Sequence, residues 1–220
     1  MTNSFPAEQF SALAALPGVV HAFTTRVAGL DVRTDKAEAL RRLDRVHRDV
    51  RRELSVGDAS FVTAQQVHGN GVAVVAGPVA ADTCFDDCDG LVTDRANVCL
   101  GIYVADCCAV YLVDPINRAI GVVHSGKKGT ELAITTNAID LLEQRFGSRP
   151  SDLIVQLSPC IRPPHYEVDF AAEIVRSCRE RGVVHVHDSG ICTACDLERY
   201  YSYRAEKAKT GRMLAILALR

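Results

Sequence analysis

The segment from Ile102 to Thr130 constrains the fold of this chain more than any other part of the sequence. It is typical of two buried apolar strands, followed by a turn and the start of a helix. Ala105-Asp106-Cys107 closes the first strand, and His124 closes the second just before a Gly-Lys-Lys-Gly turn. Each strand therefore ends on a side chain that binds metals.

A third potential ligand lies upstream, where Gln66-Val67-His68-Gly69 puts another histidine at the end of an apolar run. Catalytic zinc sites use three protein ligands and keep a fourth position open for water or substrate. Two imidazoles and one thiolate, each delivered from a strand end, match that requirement. The pattern predicts a zinc site formed by His68, Cys107 and His124, although a histidine at a strand end is often only structural.

The residues around these ligands have predicted roles of their own. Cys107 and Cys108 are neighbours in the chain, so in a strand only one of them can face a cavity while the other packs in the core. Asp106 could accept the second N–H of a ligating histidine, or it could only cap a turn. Lys127 and Lys128 precede a helix and could bind a phosphate, or they could lie in a solvated loop before a cap at Thr130.

Composition excludes several classes of protein. Lys+Arg 25 nearly balances Asp+Glu 27, which argues against a nucleic-acid-binding surface. No apolar run approaches the roughly 20 residues that span a bilayer, and no basic leader precedes the N-terminal apolar stretch. We expect one cytoplasmic domain, residues 1–220, with no membrane partner, as a monomer or homodimer. The nine cysteines are then thiols or ligands rather than a disulfide framework.

Hydrophobic periodicity predicts more strands than helices, and several strands adjacent in sequence as hairpins. This favours the α+β class, a mixed sheet with helices packed on it, over a doubly wound parallel sheet. The predicted helices are 36–54, 130–146, 170–181 and 197–207. The predicted strands are 19–25, 60–67, 71–75, 90–93, 98–104, 111–113, 119–123, 153–157 and 183–186, with a tight turn at 68–71 and hairpins at 94–97 and 114–117.

The remaining cysteines include two close pairs. Cys84 and Cys88 lie in an acidic loop and supply only two of the four ligands that a structural zinc needs. Cys192 and Cys195 form a Cys-x-x-Cys motif downstream of two histidines, His185 and His187. That segment could form a second metal site or a redox pair, or could only pack.

Short motifs along nearly the whole chain resemble one family, the YfiH or laccase-domain proteins, also called FAMIN-type purine nucleoside phosphorylases. The motifs are Phe23-Thr24-Thr25-Arg26, Gln66-Val67-His68-Gly69, Asp89-Gly90-Leu91-Val92-Thr93, Ala105-Asp106-Cys107, Val122-Val123-His124-Ser125-Gly126, Ser158-Pro159-Cys160-Ile161, Tyr166-Glu167-Val168, Cys192-Thr193, Tyr201-Ser202-Tyr203-Arg204 and Thr210-Gly211-Arg212.

The resemblance implies a mixed-sheet α/β sandwich of the YfiH-like type, similar to the fold of a bacterial toxin deamidase. It also implies Zn²⁺ bound by the three residues that the pattern indicates, and phosphorolysis or deamination of purine nucleosides. Copper is less consistent with the residues than the older laccase label suggests, because a blue-copper site with its trinuclear partner needs many more histidines than seven scattered ones.

The chain departs from the family pattern at two places. The family's Ala-Gly-Trp-Arg-Gly turn is Ser-Gly-Lys-Lys-Gly here (125–129), and lysine lacks the planar fork with which arginine grips phosphate. The loop after Arg26 is also shorter, and the family's Asn-Arg pair on the following helix corresponds to Asp44-Arg45. These changes affect the segments that would contact substrate.

Three hypotheses follow. The first is a zinc-dependent purine nucleoside phosphorylase or adenosine deaminase, with Asp106, Lys128 and Arg45 in catalysis and Gln66 and Lys127 binding purine nucleoside and phosphate. The second is a Cys-His hydrolase with Cys107 as nucleophile and His124 as base. The third is a metal-binding or partner-binding protein with weak catalysis.

Overall fold

The computed structural model describes residues 6–79 and 82–220. The helices are α1 (Ser11–Ala14), α2 (Lys36–Glu53), α3 (Lys127–Glu131), α4 (Ile134–Phe146) and α5 (Phe170–Glu180). The strands are β1 (Ala7–Glu8), β2 (Val19–Thr24), β3 (Ser60–Ala64), β4 (Val72–Val74), β5 (Thr83–Phe85), β6 (Gly90–Thr93), β7 (Val98–Val104), β8 (Cys108–Asp114), β9 (Ala119–Ser125), β10 (Ile154–Leu157), β11 (His185–Asp188) and β12 (Met213–Leu219). Short 3-10 helices span Pro150–Asp152 and Thr193–Cys195.

Two six-stranded sheets form the centre of the fold. The first has the order β1-β2-β12-β7-β3-β5 and the second β11-β10-β8-β9-β6-β4. Both are mixed: β12 pairs antiparallel with β2 and β7, whereas β3 runs parallel to β7, and β10 runs parallel to β11. The α+β class predicted from the sequence, with mixed sheets in a sandwich, is confirmed.

Apolar side chains from both sheets meet in one core, which includes Ile102 and Leu217 of the first sheet and Tyr111 and Val122 of the second. Helix α2 covers the outer face of the first sheet through residues such as Val50. Helices α4 and α5 cover the outer face of the second sheet. Alternating strand residues therefore face the sandwich core or a helix, and central strands are buried on both faces.

Strand β12 shows the sequence consequence of that arrangement. Its residues, Met-Leu-Ala-Ile-Leu-Ala-Leu, are all buried because β2 and β7 flank it and both its faces are covered. Two covered faces require a continuous apolar run rather than alternation. This central strand is not among the strands predicted from the sequence.

The hairpin of β8 and β9 is confirmed, with Asp114 accepting backbone N–H groups in the turn. Two other connections were predicted wrongly. Strands β6 and β7 do not form a hairpin, because they belong to different sheets. For the same reason the segment 68–71 does not join β3 and β4 as a hairpin turn. Each of these short loops carries the chain from one sheet to the other. A buried strand can be followed by such a crossing as readily as by a turn back into its own sheet.

Two helix predictions also need correction. Ala133 adopts a left-handed conformation with φ of 59°, which divides the predicted helix 130–146 into α3 and α4. The segment 197–207 forms turns rather than a helix. Three consecutive residues there, Tyr200, Tyr201 and Ser202, are fully buried, which a helix with a single apolar face cannot achieve.

Among the described residues, none of the helices has the length and hydropathy that crossing a membrane would require. The predicted strand 183–186 is displaced by two residues and is found as β11.

Candidate metal centre and adjoining cavities

The three predicted zinc ligands lie together at one edge of the sandwich. His68 follows β3, Cys107 lies between β7 and β8, and His124 is the penultimate residue of β9. Their donor atoms all lie within 4.8 Å of one another, and the two imidazole rings are nearly perpendicular with centroids 4.8 Å apart. We call His68, Cys107 and His124 the first cluster. His124 is buried, Cys107 is half-buried and His68 is exposed, so one side of the cluster is accessible.

Asp89 organises this cluster from beneath. Its fully buried carboxylate accepts hydrogen bonds from the backbone N–H groups of Val67, His68 and Gly69 at 2.8–3.0 Å. The same carboxylate lies 2.8 Å from Nδ1 of His124. An N–H at Nδ1 leaves Nε2 of His124 free to bind a metal, which is the usual arrangement around ligating histidines. One side chain thus fixes two of the three ligands.

The loop that carries His68 has an unusual backbone. Gln66 and His68 both have positive φ, at 64° and 59°. The Gln66 amide offsets this strain, because it donates to the Tyr103 carbonyl at 2.6 Å and accepts from the Tyr103 N–H at 3.0 Å. Gln66 therefore fastens the loop to β7, which makes it a positioning residue more than a free substrate contact.

Cys107 and His124 form an electrostatic pair. Burial disfavours the thiolate, but the neighbouring imidazoles of His124 and His68 outweigh it and lower the pKa of Cys107 to about 6. Burial also disfavours imidazolium, but Cys107 and Asp89 raise the pKa of His124 to about 9. The pair favours thiolate, the form that binds metals and attacks electrophiles. Cys108, as predicted, points into the core and is fully buried.

The strand-to-helix junction after His124 closes tightly over this thiol. A Cβ at Gly126 would lie 2.6 Å from the Cys107 sulfur. Real Cβ atoms do not come that close, so any side chain at this position would displace the sulfur. Glycine is required here by close approach rather than by backbone conformation.

A cavity of about 390 Å³ opens directly onto the first cluster. Besides the three ligands and Gln66, its wall includes Lys36, Arg212 and two tyrosines, Tyr103 and Tyr203. Arg212 uses Nη1 to donate to two backbone carbonyls, which holds the guanidinium in place. Partial burial lowers the pKa of Arg212 and of Lys36, but both ordinary values lie so high that the groups remain cationic at neutral pH. The cavity is suited to an anion.

A second cavity, of about 210 Å³, adjoins the first and shares Cys107 and Tyr203 with it. Its walls are mainly apolar and aromatic, with Tyr166 packed edge-to-face on Phe170 at 5.8 Å. Lys127 lies at its margin. Aromatic and apolar walls beside a cationic cavity suit a ligand with one flat and one anionic part.

The other predicted residues lie elsewhere. Asp106 accepts hydrogen bonds from the Thr193 hydroxyl and the Arg204 N–H, both at 2.7 Å, so Asp89 rather than Asp106 orients the histidine. Arg45 is 93% exposed on α2 beside Asp49 and lines neither cavity. The periodic pattern of α2 could not show which of its cations reaches the cavity.

Lys127 and Lys128 are exposed in the first turn of α3, and only Lys127 lies at a cavity wall. The sequence patterns indicated no site role for Asp89, Lys36 or Arg212. Asp89 directly precedes the buried strand β6, and this position was a usable signal, because a carboxylate beside an apolar strand needs partners. Nothing local distinguishes Lys36 or Arg212 from surface cations.

A second group of potential ligands lies on the loops after β10 and β11. Nδ1 of His165 is 3.8 Å from the sulfur of Cys192 and 3.4 Å from that of Cys195. We call these three residues the second cluster. His185 and His187, the histidines suggested by the sequence, lie on β11 and do not join it.

Comparisons with known proteins agree with this architecture. A family model described as multi-copper polyphenol oxidoreductase laccase matches residues 20–177 and 168–220. The chain belongs to this laccase family. This match confirms the family resemblance that the motifs indicated.

Two curated relatives of this chain are named for the same activity. Purine nucleoside phosphorylase YlmD of Geobacillus stearothermophilus is 30% identical over 73% of this chain and 72% of its own length. A purine nucleoside phosphorylase of Deinococcus radiodurans is 30% identical, covering 91% of this chain and 89% of its own. The laccase family thus includes relatives that are named as enzymes.

Solved structures support the fold. The crystal structure of YlmD from Geobacillus stearothermophilus has a TM-score of 0.82 at 24% identity and covers 98% of this chain and 99% of that one. Bacillus licheniformis YfiH has a TM-score of 0.80 at 24% identity and covers 92% and 93%. The laccase-family fold therefore extends over nearly the whole chain.

Proposed function

We propose that this protein is a zinc-dependent purine nucleoside phosphorylase. The observation that carries the proposal is the position of the first cluster at the junction of a cationic and an aromatic cavity. A phosphorylase must hold an anion and a flat heterocycle on either side of one bond. The names of the family relatives give the reaction class.

The donor set fits zinc. Two imidazoles and a thiolate are common zinc ligands, and Asp89 holds the tautomer that frees Nε2 of His124. When bound, zinc would supply a Lewis acid that polarises a substrate oxygen. Copper fits the proposal less well, because the multicopper chemistry of the family's older name needs far more imidazoles than this cluster holds.

Arg212 and Lys36 bind the phosphate in this proposal. Backbone carbonyls hold the Arg212 guanidinium through Nη1, so its remaining N–H groups can face the cavity as a preorganised fork. Lys36 lines the same cavity and adds a second positive charge. Both replace the roles that sequence reasoning gave to Arg45 and Lys128.

The purine occupies the aromatic cavity, where Tyr166, Phe170 and Tyr203 offer faces for stacking. The ribose then lies near Cys107, which both cavities share. Phosphate oxygen attacks the anomeric carbon, the bond to the base nitrogen breaks, and the base leaves with that electron pair and takes up a proton. The products are ribose 1-phosphate and free base.

Adenosine deamination is the other reaction within this proposal. It would use the same cavities with water instead of phosphate, releasing ammonia and leaving the glycosidic bond intact. Chromatography of products with and without phosphate separates the two reactions. Phosphate-dependent release of free base supports phosphorolysis, and phosphate-independent inosine from adenosine supports deamination. Intact zinc loading without turnover of any nucleoside would contradict both and favour a binding protein.

Replacement of Arg212 tests the anion site. We expect Arg212→Met to raise the phosphate KM about 10- to 100-fold, because a charge-assisted hydrogen bond contributes roughly 1.5–3 kcal/mol. Arg212→Lys should recover only part of this loss, since it keeps the charge without the fork. The matched control is Arg45→Met on the exposed face of α2, which should leave the phosphate KM unchanged. Equal effects of the two methionine variants would sink this assignment.

The thiolate–imidazolium pair favours one second candidate, a hydrolase in which Cys107 attacks and His124 serves as base. Such an enzyme needs no third ligand. His68→Ala should abolish activity and metal loading at the first cluster if zinc is used, but should leave a Cys-His hydrolase active. Irreversible inactivation by a thiol alkylator in zinc-free protein would support the hydrolase.

A further inference from the structure

The second cluster joins two loops that are distant in sequence. His165 follows β10 and precedes α5, whereas Cys192 precedes the short 3-10 helix after β11 and Cys195 is the last residue of that helix. One imidazole nitrogen faces both sulfur atoms, and all three donor atoms lie within 4.8 Å of one another. Cys195 and His165 are exposed, so an ion could reach them from solvent.

We propose that His165, Cys192 and Cys195 form a second metal site, specific for zinc or a similar thiophilic divalent ion. Two thiolates and an imidazole suit zinc, and their spacing needs only small side-chain movements to reach coordination distances of about 2.0–2.3 Å. Binding would release the two thiol protons, giving a metal–dithiolate of no net charge. The open side of the site leaves a fourth position for water.

The backbone around this cluster is already ordered by other bonds. Thr193 donates its N–H to the Cys160 carbonyl, and the Cys160 N–H bonds the Ile191 carbonyl. The loop carrying Cys192 is thus tied to the strand end that precedes His165. A metal ion would bind at a preorganised junction rather than gather a flexible segment.

The site is also connected to the first cluster. Thr193, between the two cysteines in sequence, is fully buried and donates its hydroxyl to Asp106 at 2.7 Å. Asp106 is the neighbour of Cys107 and also holds the Arg204 N–H. We infer that an ion at the second cluster braces the wall of the cavities without touching substrate.

The test uses full-length protein in which the first cluster is disabled by His68→Ala and Cys107→Ser together. This background also removes the first-cluster sulfur, so any sulfur-to-cobalt charge-transfer band must come from elsewhere. We expect the reduced protein to bind one equivalent of Zn²⁺, and Co²⁺ to give that band. Adding Cys195→Ser or His165→Ala should weaken Zn²⁺ binding at least about 100-fold.

Two exposed residues of the same types serve as controls, Cys84→Ser and His185→Ala, and neither should change the affinity. A parallel count in otherwise wild-type protein should give two zinc equivalents, falling to one in Cys195→Ser. The proposal is overturned if the reduced background binds no zinc, or if the controls weaken binding as much as the cluster variants. Neither result depends on nucleoside turnover, so the test is independent of the proposed function.

Discussion

The two clusters contain the same kinds of ligand but are supported very differently. The first is built on strand ends and rests on Asp89, which is fully buried and bonds three backbone N–H groups and His124. The second lies on surface loops, and the described hydrogen bonds place no carboxylate on its histidine. Rigid support suits chemistry on a substrate, whereas exposed loops suit an ion that braces structure.

Removing Asp89 should have the largest effect, because it takes away the support that the first cluster has and the second lacks. Asp89→Ala leaves three backbone N–H groups and the buried imidazole of His124 without their acceptor, and we expect the free energy of unfolding to fall by about 3–5 kcal/mol, with loss of zinc at the first cluster only. Urea denaturation and metal analysis measure the two effects.

The matched control for that variant is Asp114→Asn, which alters another fully buried carboxylate that bonds a turn far from either cluster. It should lower stability while leaving zinc at both clusters. If Asp89→Ala retained zinc at the first cluster, the organising role of that carboxylate would be refuted.

The sequence located the residues of the first cluster better than the residues that support them. His68, Cys107 and His124 stand at the ends of strong apolar runs, so they could be recognised from local pattern. Asp89 acts through backbone groups of a loop 20–22 residues earlier in the chain, and Arg212 reaches the cavity from the opposite end of the sequence. No local pattern encodes such pairings, which depend on how the sheets stack.

The same limit explains the errors in the fold. Helix α2 and the β8–β9 hairpin follow local periodicity and were predicted. The loop 94–97 looks like a hairpin turn, but its strands pair with other partners in two sheets. The same type of error occurred at the second cluster, where nearby His185 and His187 were proposed and the more distant His165 is the neighbour.

Lowering the pH should reduce the stability of the part of the fold that supports the first cluster. Burial lowers the pKa of His47 and of His21 to about 4, and His47 packs on Tyr103, to which Gln66 is bonded. Because the folded pKa lies below the unfolded value near 6.5, this stability is complete above pH 6.5 and is lost as pH falls toward 4. The expected loss is roughly 3 kcal/mol per histidine.

Urea denaturation of metal-free protein across that range measures this loss without the contribution of metal release. His47→Leu removes one of the two buried histidines and should therefore remove about half of the pH dependence. The Nδ1 atom of His47 has no hydrogen-bond partner, so the substitution breaks no hydrogen bond at that atom. His185→Leu, at an exposed histidine, should leave the profile unchanged. A flat profile in the wild-type protein would contradict the assignment of neutral buried histidines.

The smallest change tests the first cluster without disturbing the fold. At Gly126 a Cβ would come within 2.6 Å of the Cys107 sulfur, which can rotate away, so the added methyl should displace a ligand rather than unfold the chain. We expect Gly126→Ala to weaken zinc binding at the first cluster about tenfold, equal to about 1.4 kcal/mol, and to leave the second cluster unaffected. Gly77→Ala, whose Cβ would meet nothing within 4 Å, is the control.

Equal zinc affinities in the two variants would mean that the junction does not set the position of the thiol. Weakening confined to the first cluster would show that its geometry is fixed by the backbone, which is the property that separates it from the second.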